Sequence, residues 1–146
     1  MTVSMILVVS LILAAAQAGR QEDPTWTHLS SKSGDLPEPG TSKQQTGCLV
    51  LDIDKDGLND IVITSRDAGA RMVWYRRGKL GWTIYPIDRG LNIEAGGASA
   101  DIDGDGDLDI VFGEDYTGSK LYWWENPYPV YRTTRPWLRR DRKSVV

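Results

Sequence analysis

The sequence predicts an all-β fold assembled from two similar units of four antiparallel strands. Three observations carry this expectation. An acidic nine-residue spelling, D-x-D-x-D-G-x-x-D, occurs at Asp52–Asp60 and again at Asp101–Asp109. Each copy runs directly into a short apolar segment, Ile61-Val62-Ile63 and Ile110-Val111-Phe112, of the length and composition of a buried strand. Beyond the first eighteen residues, no segment sustains the 3.6-residue periodicity of a helix.

The repeat extends past the acidic spelling. A shift of 49 residues also brings Gly47 onto Gly96 and Trp74-Tyr75 onto Trp123-Trp124. Trp82 then corresponds to Trp137, once about six extra residues around Pro127 to Thr134 are allowed for. In the first unit the expected strands are Cys48–Leu51, Ile61–Thr64, Arg71–Tyr75 and Trp82–Ile87. In the second they are Gly97–Ala100, Ile110–Gly113, Lys120–Trp124 and Trp137–Arg139. Gly and charged turns such as Asp67-Ala68-Gly69 and Arg77-Gly78 separate them. The run Gly96-Gly97-Ala98-Ser99-Ala100 reads as a strand crowded by its neighbours.

Four-stranded units recurring every 40 to 50 residues are the pattern of β-propeller blades, each of which buries its faces only against other blades. The expected organisation is a signal peptide at 1–18, an outer strand and connector at 19–46, a first blade at 47–95, a second at 96–140, and a tail at 141–146. Within 19–46, Trp26-Thr27-His28-Leu29 resembles Trp82-Thr83-Ile84-Tyr85, so it is expected to form an outer strand that completes the last blade of the ring. The segment 30–42, rich in Ser, Gly and Pro, is the connector. The last six residues read as the translated end of a sequencing adapter, with the protein proper continuing beyond Arg140.

Composition narrows the setting. Of 146 residues, 40% are hydrophobic and 25% charged, which is ordinary for a globular domain, and the net charge of −3 points away from nucleic acid. Ile6–Ala16 is an apolar run of signal-peptide length, followed by the cleavage spelling Ala16-Gln17-Ala18, although Met1–Met5 lacks the usual Lys or Arg. Cleavage would leave no stable membrane anchor and place the mature chain outside the cytoplasm, in an extracellular or periplasmic compartment. Cys48 is the only cysteine, so no internal disulfide can form, and it is expected to be a buried structural thiol. The single histidine, His28, is expected to be solvated or packed rather than catalytic.

Four carboxylates in nine residues repel one another, and a hard cation removes that repulsion. Positions 1, 3 and 5 of each loop supply side chains: Asp52, Asp54 and Asp56, and Asp101, Asp103 and Asp105. Position 7 supplies a backbone carbonyl, from Leu58 or Asp107, and position 9 a further carboxylate, Asp60 or Asp109. An oxygen-only set of about six or seven ligands suits Ca²⁺ better than Mg²⁺, and the absence of neighbouring His or Cys argues against zinc and copper. An EF-hand is excluded because position 12 is Ile63 or Phe112, inside a strand. Two structural Ca²⁺ sites are therefore expected, each pinning the turn between the first two strands of a unit.

The run from Gly96 through Asp101-Ile102-Asp103-Gly104-Asp105-Gly106-Asp107-Leu108-Asp109 to Gly113 resembles an FG-GAP/VCBS repeat, the calcium-bearing blade of integrin-alpha-like propellers and of many secreted proteins. The first loop is a variant, with Lys55 in place of the frequent Gly. The resemblance covers Gly47 to Arg140 and implies a β-propeller, usually of seven blades, in which these aspartates hold calcium. It also implies a binding or scaffolding role, in adhesion to an extracellular protein or in glycan recognition; the alternative is the propeller part of a carbohydrate-active lyase or dehydratase. Trp74, Tyr75, Trp82, Trp123 and Trp124 are expected to pack between blades rather than stack on sugars. Glu94, Glu114 and Asp115 lie near strand ends, where an acid, base or extra metal ligand would sit, but their spacing does not raise them above solvated carboxylates.

Overall fold

A computed structural model describes residues 24–67 and 71–142. The proposed signal peptide and the last four residues of the tail lie outside the described residues. Among the described residues, eight strands form two four-stranded antiparallel sheets, each a simple meander. The first contains β1 (Gln44–Leu51), β2 (Asp60–Arg66), β3 (Arg71–Gly78) and β4 (Gly81–Arg89). The second contains β5 (Ile93–Ala100), β6 (Asp109–Glu114), β7 (Leu121–Glu125) and β8 (Leu138–Arg142). Among the described residues no helix is long and apolar enough to cross a membrane.

Register reproduces the internal repeat. Leu51 pairs with Asp60, and Ala100 with Asp109, so the two acidic loops close equivalent hairpins. Thr83 pairs with Arg76 and Leu138 with Glu125, which aligns Trp82 with Trp137 across the insertion as the sequence suggested.

The sheets meet through unlike faces. The first turns Leu49, Val62, Met72 and Trp74 inward; the second turns Ile110, Phe112, Tyr122 and Trp124 inward. Because side chains alternate along a strand, the repeat positions that are buried in one sheet face outward in the other. Val111 and Trp123, equivalents of Val62 and Trp74, are half-buried, and Leu121 is 50% exposed. The core is a single cluster spanning both sheets, with Val62, Trp74, Phe112 and Trp124 fully buried.

Aromatic rings fill the seam. Trp74 stacks on Tyr85 at 4.8 Å between centroids and meets Trp137 edge-on at 6.1 Å. Tyr131, carried in by the insertion before β8, lies 4.6 Å from Trp74. A polar clamp adds direction. Asp88 on β4 accepts hydrogen bonds from Trp124 Nε1 (2.7 Å) and from Arg139 on β8 (2.9 Å). Trp74, Tyr75 and Trp124 are packing residues, whereas Trp82 and Trp123 are only half-buried.

Trp26–Leu29 forms no strand, and Trp26 is 93% exposed. An extended segment becomes a strand only where another edge accepts its backbone groups, and none among the described residues does so. The chain turns after Ser30 and passes across β2 and β3, where Tyr75 donates to Pro37 O at 2.7 Å. One expectation, on Cys48, is corrected: the thiol is exposed rather than buried. Its neighbours Gly47 and Leu49 face the core, so alternation points Cys48 to the opposite side, opposite Ile63.

Candidate metal centres

Each acidic loop is ordered by its own backbone before any ligand is considered. Asp52 accepts from the N–H groups of Asp56 (3.1 Å) and Gly57 (2.9 Å), and Asp101 from those of Gly104 (2.7 Å) and Gly106 (3.0 Å). Asp56 and Asp105 cap the next turn through the N–H groups of Leu58 (2.9 Å) and Asp107 (3.1 Å). Gly57 and Gly106 have φ of 85° and 91°, the left-handed conformation that this tight turn requires. Lys55, at φ 60°, takes the same conformation as Gly104, a strained choice for a residue with a side chain.

The last aspartate of each loop is a latch. Asp60 accepts from the N–H of Ile53 (3.3 Å) and of Arg77 (2.7 Å). Asp109 repeats the arrangement with Ile102 (3.0 Å) and Asn126 (2.9 Å). Both residues are almost wholly buried, and burial pushes their carboxyls up while these N–H groups pull them down.

The loops gather oxygens differently. In the first, Asp52, Asp54 and Asp60 each place one carboxylate oxygen within 4.8 Å of the others, with Asp56 outside that triple. In the second the triple is Asp101, Asp103 and Asp105, with Asp109 outside it. The Asp54 side chain is only 3% exposed and its Oδ1 has no hydrogen-bond partner. Burying a carboxylate oxygen without a partner is costly, and such an atom inside a carboxylate triple fits a bound cation. The donors in both triples are carboxylates alone, which suits a hard ion.

Leu58 is half-buried and caps the turn through its N–H. Asp107, expected to contribute through its carbonyl, instead draws attention through its side chain. It is 3% exposed, with Oδ1 unpartnered. Its carboxyl is pushed up to about 6 by burial, then by Asp105 and Asp109, and is drawn down by Lys55.

Three participants were not visible in the sequence. Arg76 on β3 donates through Nε to Asp54 Oδ2, and its Nη2 lies 4.0 Å from Asp56. Lys55 reaches from the first loop to the Gly106 carbonyl in the second, at 2.8 Å. Asn126 contacts both loops. The repeat offset held one usable signal: Arg76 aligns with Glu125, a reversal of charge next to two otherwise similar loops.

The other acidic candidates serve structure. Glu94 pairs with Arg66 at 2.7 Å. Glu114 accepts from Tyr122 Oη (2.8 Å) and from the N–H groups of Ser119 and Lys120, and Asp115 caps Thr117. His28 is exposed.

Comparison with known families matches residues 52–112 to the FG-GAP-like repeat. The matched stretch starts at the first aspartate of the first loop and ends in β6, so it takes in both loops, and the chain carries an FG-GAP-type repeat in a β-sheet domain. No curated protein and no solved structure matches the chain.

Proposed function

We propose that the chain is a secreted, calcium-stabilised β-propeller repeat module whose role is binding or scaffolding, with an extracellular protein or a glycan as partner. The observation that carries the cation reading is Asp54 Oδ1, a buried carboxylate oxygen with no partner, set among Asp52 and Asp60. Asp52, Asp54 and Asp60 would hold one ion; Asp101, Asp103 and Asp105 would hold another. The ion would supply positive charge that cancels the mutual repulsion of the aspartates. The backbone bonds already in place orient each loop for it.

The propeller reading is supported by the unlike faces of the two sheets. A sheet that buries one face against the opposite face of the next can be extended by further units of the same kind. The scaffolding reading is supported by Glu94, Glu114 and Asp115, which are committed to internal bonds rather than gathered as an acid–base pair.

Thermal unfolding in millimolar CaCl₂ and in chelator tests the cation reading. Extracellular loops of this type bind with Kd of about 0.1–1 mM, so linkage adds roughly 0.5–1.5 kcal/mol per site. The parent melts several degrees higher with calcium, and Asp54→Ala loses about half of that increment. Equal melting temperatures in the two conditions for the parent would refute it.

A further inference from the structure

The two acidic loops share one buried residue. Asn126 directly follows β7 and is 3% exposed. Its backbone N–H donates to Asp109 Oδ1 at 2.9 Å. Its side-chain amide donates to the Leu108 carbonyl (3.1 Å) in the second loop and to the Ile53 carbonyl (3.2 Å) in the first. Both partners can only accept, so they fix which way the amide faces. Ile53 stands between Asp52 and Asp54, and its own N–H donates to Asp60 at 3.3 Å. Tyr131 Oη donates to the same Ile53 carbonyl at 3.3 Å.

The repeat separates what is generic here from what is particular. Arg77 holds the equivalent place in the first unit, and its N–H makes the equivalent bond to Asp60. Its side chain, however, is exposed. The backbone latch therefore belongs to both units, whereas the Asn126 amide adds a buried bridge between the loops, beside the exposed one from Lys55 to Gly106.

We infer that Asn126 is a positioning residue shared by the two ion sites, through which binding at one loop tightens the other. This rests on the cation reading above. An ion that fixes Asp101 and Asp103 fixes Ile102 between them, whose N–H holds Asp109, and Asp109 holds the Asn126 backbone; the amide then holds Ile53 between Asp52 and Asp54. The reverse path runs through the same bonds, and coupling between binding sites is reciprocal by thermodynamic necessity. Asn126, Asp109 and Ile53 are all buried, so little water competes for the bonds that join them.

The test is calorimetric titration of the full chain with CaCl₂ alone, in the parent and in single-site variants. Asp103→Ala isolates the first loop and Asp54→Ala the second. The expected result is that each isolated loop binds calcium about 5–10-fold more weakly than it does in the parent, within the range usual for coupled sites. In an Asn126→Ala background both loops still bind, but removing one no longer changes the other. A residue of purely structural importance would lower stability or both affinities without abolishing that dependence. If Asn126→Ala does not fold, Tyr131→Phe keeps the ring but removes a donor to Ile53, and the coupling should fall by about half. Two independent sites in the parent, or undiminished coupling in the substituted chains, would overturn the inference and leave the cation reading standing. No binding in the parent would overturn both.

Discussion

Gly97→Ala gives a sharp test of how the two sheets are packed. A Cβ at Gly97 would overlap Phe112 Cζ and lie 2.6 and 2.8 Å from Cε1 and Cε2, against a normal carbon–carbon contact of about 3.5–4.0 Å. The ring has nowhere to go. Phe112 is fully buried, and on another side it is flanked by Gly47, where an added Cβ would lie 3.1 Å from Cε1. Overpacking of this kind costs about 1–3 kcal/mol. Gly96→Ala is the control: an added Cβ there has no heavy atom within 4 Å. It should be neutral or stabilise by about 0.4–1 kcal/mol, through the unfolded chain. At roughly 2–4 °C per kcal/mol for a chain of nearly 150 residues, Gly97→Ala should melt about 2–12 °C lower than the parent, and Gly96→Ala no lower. Circular dichroism melts in saturating calcium and again in chelator keep packing apart from ion binding, because the packing loss should appear in both. Phe112→Leu removes the ring atoms that Gly97→Ala would meet. The double substitution should therefore cost less than the sum of the two single ones. Indistinguishable melts for Gly96→Ala and Gly97→Ala would refute the proposed approach of β5 to Phe112.

Two further outcomes follow from the seam between the sheets. Asp88→Ala leaves the fully buried Trp124 indole N–H without its acceptor, which should cost about 1–3 kcal/mol in chemical denaturation, with calcium present or absent. Trp137→Ala removes a 7%-exposed ring that packs against Trp74 and Tyr131, and should cost about 3–5 kcal/mol by the same measurement.

What could be read from the sequence was what local chemistry dictates. The apolar runs after each loop become β2 and β6, the small-residue segment becomes a crowded β5, and the positive-φ glycines sit where the acidic turns need them. The repeat offset even predicted the alignment of Trp82 with Trp137 across an insertion. Cys48 failed for a definite reason. Alternation says that Cys48 and Leu49 face opposite ways, but only the neighbouring sheet decides which of those ways is inward. Trp26–Leu29 forms no strand because a strand is a property of a pair, and the last blade expected to accept it is not among the described residues. Arg76, Lys55 and Asn126 escaped for a third reason: each reaches its loop from outside that loop's own spelling, across the sheet or across the seam.

Those long-range contacts make the two loops chemically unlike despite their shared spelling. The first takes a cation from its own sheet, Arg76, seated on Asp54. The second finds Glu125 at the equivalent position, and that carboxylate is occupied by Arg140 at 2.8 Å. A cation reaches it instead from the neighbouring loop, as Lys55, which is held on the Gly106 carbonyl and lies 4.5 Å from the centre of the Tyr128 ring. Each loop thus has a tethered positive charge, and each tether has a different origin. A tethered cation offsets part of the repulsion among the aspartates when no ion is bound, which keeps the loop compact. The same charge repels an arriving divalent ion and claims part of the negative field that would attract it. The gain from binding is therefore smaller than a count of carboxylates suggests. It is also unequal between the loops: Arg76 contacts a member of the first triple directly, whereas Lys55 rests on a backbone carbonyl and pulls on Asp107, which stands outside the second triple.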